Sequence, residues 1–163
     1  DAMAIAIGDK LPAATFKKFG ADGMVDVTGD ALFGGRKVVL FAVPGAFTPT
    51  CHEQHLPGFV QHAGELKAKG VDDIVCVAVN DPFVMRAWEQ QSGVGDTITL
   101  LSDGNADFTR AIGMDVELTG PFLGTRSKRY AMVVEDGVVK DLMVEDNPGA
   151  VAVSGADAIL AKL

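Results

Sequence analysis

Two short, unbroken apolar runs constrain the fold of this chain most: VVLFAV, Val38 to Val43, and IVCVAV, Ile74 to Val79. Both are rich in β-branched residues and bounded by polar ones, the pattern of strands covered on both faces. Such strands need helical layers above and below, and the intervening segments supply them. A helix is expected from about Thr50 to Lys69, and a second after Asp81, whose carboxylate can cap it with Pro82 in the first turn. TITLL, Thr97 to Leu101, reads as a third strand. The order is therefore β-α-β-α-β.

The flanks read differently. RYAMVVEDGVVKDLMVE is two strand-like runs joined at Asp136-Gly137, a strong hairpin signal, and ATFKKFGADGMVDV reads as another hairpin turning at Asp22-Gly23. A last helix is expected from about Ser154 to Lys162. The expectation is one α/β domain over residues 1–163: a mixed central sheet flanked by helices, with N-terminal and C-terminal hairpins, on the general plan of a thioredoxin-like fold. Asp1 and Ala2 read as an addition ahead of a natural start at Met3.

Composition narrows the partners. A chain of 163 residues with 48% hydrophobic content can bury a core. A net charge of -8 argues against nucleic acid and anionic membrane surfaces. No apolar run approaches a membrane span, and the N-terminus lacks the basic start of a signal peptide, so a cytoplasmic protein is expected. Two cysteines are too few for a disulfide scaffold and suit a reducing compartment.

In open sheets of this kind, chemistry gathers beyond the carboxyl ends of the parallel strands. VPGAFTPTCHEQHLPGF, Val43 to Phe59, lies at that address. Thr48 with Pro49, or Thr50 with Glu53 as a capping box, starts the helix, and either start puts Cys51 in its first turn. A helix start favours a thiolate by roughly 0.3–1 kcal/mol. A small buried apolar residue is the other reading of Cys51, although Pro44, Gly45 and Pro49 describe a stiff, shaped loop. Cys51 and His55 share a helical face, but no C-x-x-C or H-x-x-x-H pair accompanies them, so a metal site is not expected. His55 and His62 read as exposed or capping side chains. Pro57, followed by Gly58, should kink or loosen the helix just after the turn of Cys51. Cys76 lies mid-strand, roughly 10 Å or more from Cys51 along the strand axis if the strands are level. That exceeds the reach of a disulfide, so pairing would need the first helical turn to unwind.

The residues Pro44-x-x-x-Thr48-x-x-Cys51 resemble the active-site signature of the peroxiredoxins. VPGAFTPTC, HLPGF, VNDPFVM and LGTRSKRYAMVVEDG together look like the type II, or peroxiredoxin-5, subfamily over nearly the whole chain. The resemblance implies a peroxidase for hydrogen peroxide and alkyl hydroperoxides. In it Cys51 is the nucleophile, Thr48 engages the sulfur and the peroxide, Pro44 shields the pocket, and Arg126 is the distal arginine. Nothing in the residues alone separates Arg126 from Arg86, Arg110 or Arg129. The resemblance further implies no cofactor, glutathione with glutaredoxin or else thioredoxin as reductant, Cys76 as an optional resolving cysteine, and a homodimer with Phe47, Phe83 and Phe122 as contact candidates. It assigns no role to His52.

Magnitudes apportion the work. A thiol with the free pKa of about 8.5 is about 3% ionised at pH 7, so ionisation alone accelerates it at most roughly 30-fold. An arginine about 4 Å away is worth on the order of 4 kcal/mol at an effective dielectric of 20, more than the helix end. The remaining acceleration must come from aligning the peroxide and stabilising its departing oxygen. A non-enzymatic redox sensor or chaperone using the same cysteine and a small metal-binding module are the competing classes; intact Pro44, Thr48 and Arg126 favour turnover.

Overall fold

The computed structural model describes residues 4–163; the expected natural start at Met3 lies outside the described residues. Its centre is a seven-stranded sheet. Three parallel strands, β3 (Lys37–Val43), β4 (Asp73–Ala78) and β5 (Thr99–Ser102), form its middle, in the spatial order β5-β4-β3. These are the three runs expected from the sequence, shifted by one or two residues at their ends. The hairpin of β1 (Thr15–Gly20) and β2 (Gly23–Thr28) extends one edge antiparallel to β5, and that of β8 (Tyr130–Glu135) and β9 (Val138–Val144) extends the other antiparallel to β3.

Alternation along the middle strands sorts the core into two layers. Val39, Phe41 and Val43 of β3, with Ile74, Cys76 and Ala78 of β4, face a layer shared with Leu56, Phe59, Ala63, Met85 and Trp88. Val38, Leu40, Ala42, Val75 and Val77 face the other, with Phe16, Phe108 and Tyr130. Helix α2 (Leu56–Ala68), helix α3 (Pro82–Ser92) and the short α5 (Ala156–Leu160) contribute to the first layer. Helices α1 (Gly29–Phe33) and α4 (Asp107–Ala111) contribute to the second.

The turns follow their sequences closely. Asp136 and Gly137 adopt φ of 48° and 77°, the doubly left-handed turn that matches strand twist. The N-terminal hairpin instead turns at Ala21-Asp22, because Gly23 already pairs with Gly20. The carboxylate of Asp81 accepts from Val84 N–H at 2.8 Å and Pro82 opens α3, as expected. The last helix is shorter than the Ser154–Lys162 span. A small antiparallel ribbon, β6 (Asp115–Leu118) with β7 (Gly124–Ser127), lies outside the main sheet. Its pairs include Val116 with Arg126, and no strand signal of its own had marked it.

Candidate active site

β3 ends at Val43, and Pro44 to Phe47 carry the chain over the carboxyl ends of the parallel strands. Pro44 and Gly45 are buried there. Ala46 N–H donates to Asn80 Oδ1 at 2.9 Å, which ties the loop to the segment that follows β4, and Phe47 adopts a φ of 66°. Thr48 stands at the helix start. Its carbonyl accepts the first helical bond, from His52 N–H at 2.8 Å, while its hydroxyl donates to Gly45 O at 2.7 Å. The alternative capping box at Thr50 does not form. Thr50 is already helical, and its hydroxyl donates instead to Gly149 O at 2.8 Å.

Loosening does occur beside Cys51, as a wide π-helical turn over Cys51–His55 in which Leu56 N–H reaches back to Cys51 O. The cause lies one residue on. Pro57 has no N–H to donate, and its ring would crowd the carbonyl four residues back in a regular helix; a widened turn relieves both problems.

Cys51 is fully buried, and a guanidinium reaches its sulfur, but not that of Arg126. Arg129 Nη2 donates to Cys51 Sγ at 3.0 Å, Nη1 lies 2.8 Å from His55 Nδ1, and Nε donates to Pro148 O at 2.9 Å. Arg126, half-buried on β7, donates from Nε to Leu123 O and packs against the loop at Gly45. The physical reason for this correction is sheet membership. Arg129 directly precedes β8, which pairs with β3 beside the site, whereas Arg126 belongs to the ribbon outside the sheet. The position of Arg129 immediately before the apolar run YAMVV was the one signal that could have chosen it.

His55 also departs from expectation, being neither exposed nor a cap. It is 1% exposed, its ring tilted against those of Phe41 and Phe59. Its Nε2 lies 2.8 Å from Ser154 O, which can only accept, so Nε2 carries the proton and Nδ1 accepts from Arg129. Burial lowers the imidazole pKa to about 4, aided by the Arg129 charge and opposed by the Ser154 carbonyl and the Glu145 charge. The ring is therefore neutral at pH 7. The shared face of Cys51 and His55 that suggested a metal is taken up by Arg129. His62, in contrast, is part-exposed beside Glu65 and Asp157.

His52 Nδ1 accepts from the indole N–H of Trp88 at 3.0 Å, and the Phe47 ring lies 5.8 Å from the imidazole. Cys76 pairs in register with Phe41 and Leu100, and its thiol is free, as is that of Cys51. Both face the same core layer. Burial pushes the Cys76 thiol well up, the nearby Cys51 adds to this, and Arg129 opposes it. Phe47, Phe83 and Phe122 are exposed rather than core, Phe122 by 97%.

A fully buried cysteine in the first turns of a helix, at the carboxyl ends of the parallel strands of a mixed sheet and under an arginine, is the arrangement of a thiol-dependent protein of thioredoxin-like fold. Comparison with known proteins makes this specific. The Redoxin family matches residues 6–160. The chain is 57% identical to the chloroplastic peroxiredoxin-2E-2 of Oryza sativa, over 98% of its own length and 72% of that protein's. It is 48% identical to the chloroplastic peroxiredoxin-2E of Arabidopsis thaliana, covering 98% and 69%. Reduced Prx3 of Vibrio vulnificus, solved in complex with hydrogen peroxide, superposes with a TM-score of 0.92 at 51% identity, covering 97% and 98% of the two chains. The chain belongs to the redoxin family and, within it, to the peroxiredoxins of type II, which makes it a peroxidase of the oxidoreductase class.

Proposed function

We propose that Cys51 reduces hydrogen peroxide and alkyl hydroperoxides and is regenerated by glutathione with glutaredoxin, without a bound cofactor. The Arg129–Cys51 contact carries the reading. Among the described residues no carboxylate forms an ion pair with Arg129, and a buried cation without a counter-ion is costly. The sulfur, as thiolate, serves as that counter-ion. It attacks one peroxide oxygen, the O–O bond breaks with its electron pair on the departing oxygen, and a proton from solvent completes water or alcohol. The hydroxyl of Thr48, donating to Gly45 O, keeps its lone pairs free to accept from the peroxide O–H. Pro44 closes the wall of the pocket.

The sulfenic acid then condenses with glutathione, releasing water and leaving a mixed disulfide, and a second thiol frees Cys51. A buried, raised thiol at Cys76 supports an external reductant over internal resolution. The shared core layer of the two cysteines favours the second reading, a Cys51–Cys76 disulfide reduced by thioredoxin, reached only if the π-helical turn unwinds. The working form is a homodimer in a compartment that keeps thiols reduced, such as the cytoplasm or a plastid.

Intact mass after one equivalent of hydrogen peroxide tests this. A gain of one oxygen is expected, becoming a glutathione adduct when that thiol is added. Loss of two protons would instead select the internal disulfide, and no change in mass would sink the peroxidatic role. Turnover should disappear in Cys51→Ser.

A further inference from the structure

The segment from Glu145 to Gly155 contacts the site from behind with three carbonyls. Pro148 O accepts from Arg129 Nε at 2.9 Å, Gly149 O from Thr50 Oγ1 at 2.8 Å, and Ser154 O from His55 Nε2 at 2.8 Å. The arginine, the helix start and the imidazole that orients the arginine thus all rest on one strap. Its first residue is anchored, since Glu145 N–H donates to Arg129 O at 3.0 Å. One side chain closes it. Glu145 Oε2 accepts from the N–H groups of Ala152, Val153 and Ser154 at 2.9, 2.8 and 2.7 Å, and from Ser154 Oγ at 2.7 Å. Glu145 is 7% exposed, and four donors converging on one oxygen call for a full negative charge there.

We propose that Glu145 is a positioning residue for peroxide reduction: its carboxylate closes the 145–155 strap so that Ser154 O holds His55, and His55 holds the Arg129 guanidinium on the Cys51 sulfur. The chain of contacts is Glu145, Ser154, His55, Arg129, Cys51, and no residue in it is spare. Burial pushes the Glu145 carboxyl up, but the Ser154 hydroxyl and the three N–H groups outweigh burial and hold it below the usual carboxylate range, consistent with a permanent charge. The inference rests on the peroxidase reading, because its readout is the reaction of Cys51 with peroxide.

The test is single-turnover kinetics of Cys51 with hydrogen peroxide and, separately, with iodoacetamide, which needs a thiolate but no aligned O–O bond. Glu145→Gln keeps the shape and removes the charge. Both reagents are compared at a pH alkaline enough that Cys51 is fully ionised in every variant, where the peroxide rate constant of Glu145→Gln is expected to fall about five- to tenfold while alkylation changes less than about twofold. In an Arg129→Lys background, the same substitution should have no further effect on the peroxide rate, the coupling that a purely structural role would not produce. Should Glu145→Gln fail to fold, Ser154→Ala removes one of the four donors and should reproduce the peroxide-specific loss at about two- to threefold. Equal losses with and without Arg129, equal losses for both reagents, or a peroxide rate unchanged in the variant that folds would overturn the inference. A wild-type Cys51 inert to peroxide would overturn the peroxidase reading itself.

Discussion

Arg129 donates to an imidazole, that of His55, at 2.8 Å, and the bond exists because His55 is neutral. The second ring nitrogen keeps its proton and donates it in a hydrogen bond to Ser154 O, so the nitrogen facing the arginine has only a lone pair to offer. Protonation would replace this acceptor by a donor and set two cations against each other in a buried space. The most buried polar cluster of the site is therefore built for a neutral histidine.

Stability should consequently depend on the pH of histidine titration. The folded pKa of His55 is lowered to about 4, below its ordinary value, so between pH 6.5 and about 4 the unfolded chain binds more protons. Stability then rises with pH through that window and falls as pH drops, by up to about 3 kcal/mol in all. Urea unfolding from pH 4.5 to 7 should show this slope, and His55→Gln should flatten it. Glu145 adds loss in the same direction only lower, in the carboxylate range, because its pKa is also lowered.

Two arginines three residues apart should behave differently. Arg129→Lys removes the fork that touches the sulfur, His55 and Pro148 together, and should slow peroxide reduction about 100-fold or more. Arg126→Lys loses a bond to Leu123 O at the loop and should cost less than about tenfold. Stopped-flow peroxide kinetics on both variants decides, and the reverse order would return the role to Arg126.

What the sequence made legible follows from how local each signal is. The strands around Phe41 and Cys76 announced themselves because being covered on both faces leaves a continuous apolar run. The turn at Asp136-Gly137 and the cap at Asp81 are written in neighbouring letters. Cys51 and Thr48 could be placed because a helix start is local too. The partner of Cys51 could not, since Arg129 lies 78 residues away and its choice over Arg126 depends on which strand joins the sheet. The burial of His55 is hidden for the same reason: its acceptor, Ser154 O, is 99 residues distant. The strap leaves no periodic pattern at all, since it meets the site through carbonyls that any sequence possesses.

Trp88 is the sole tryptophan and its N–H donates to His52, the residue after Cys51. Any change in the π-helical turn on oxidation must alter this bond. Tryptophan fluorescence should therefore change with the same rate constant as Cys51 oxidation, and His52→Leu should remove most of the amplitude while leaving the peroxide rate within about threefold, the scale of one neutral hydrogen bond. Fluorescence that stays constant through a complete oxidation would uncouple the pair.

Phe47 and Phe122 are exposed and both held at positive φ, 66° and 61°, at a cost of order 1 kcal/mol each. Strain of this kind in exposed aromatic residues fits a contact surface, the one proposed for the homodimer. Sedimentation velocity at micromolar concentration should give a dimer, and Phe122→Glu should shift it toward monomer without altering the far-ultraviolet spectrum. A monomeric wild type would discard the dimer.

Pro57 permits the last prediction, on how Cys51 becomes accessible. With Pro57 in place, the turn Cys51–His55 stays wide and the helix ladder is interrupted beside the nucleophile. Pro57→Ala restores an N–H donor and removes the ring, allowing a regular helix to continue through the turn. The melting temperature should rise, since proline inside a helix costs up to about 3 kcal/mol relative to alanine. The same change should slow capture of the sulfenic acid by glutathione, because a buried sulfur must leave a better-bonded turn to meet an external thiol. Calorimetry and stopped-flow mixing with glutathione measure the two effects in one variant. A higher melting temperature with unaltered capture would mean that the thiol reaches Cys51 without unwinding the turn.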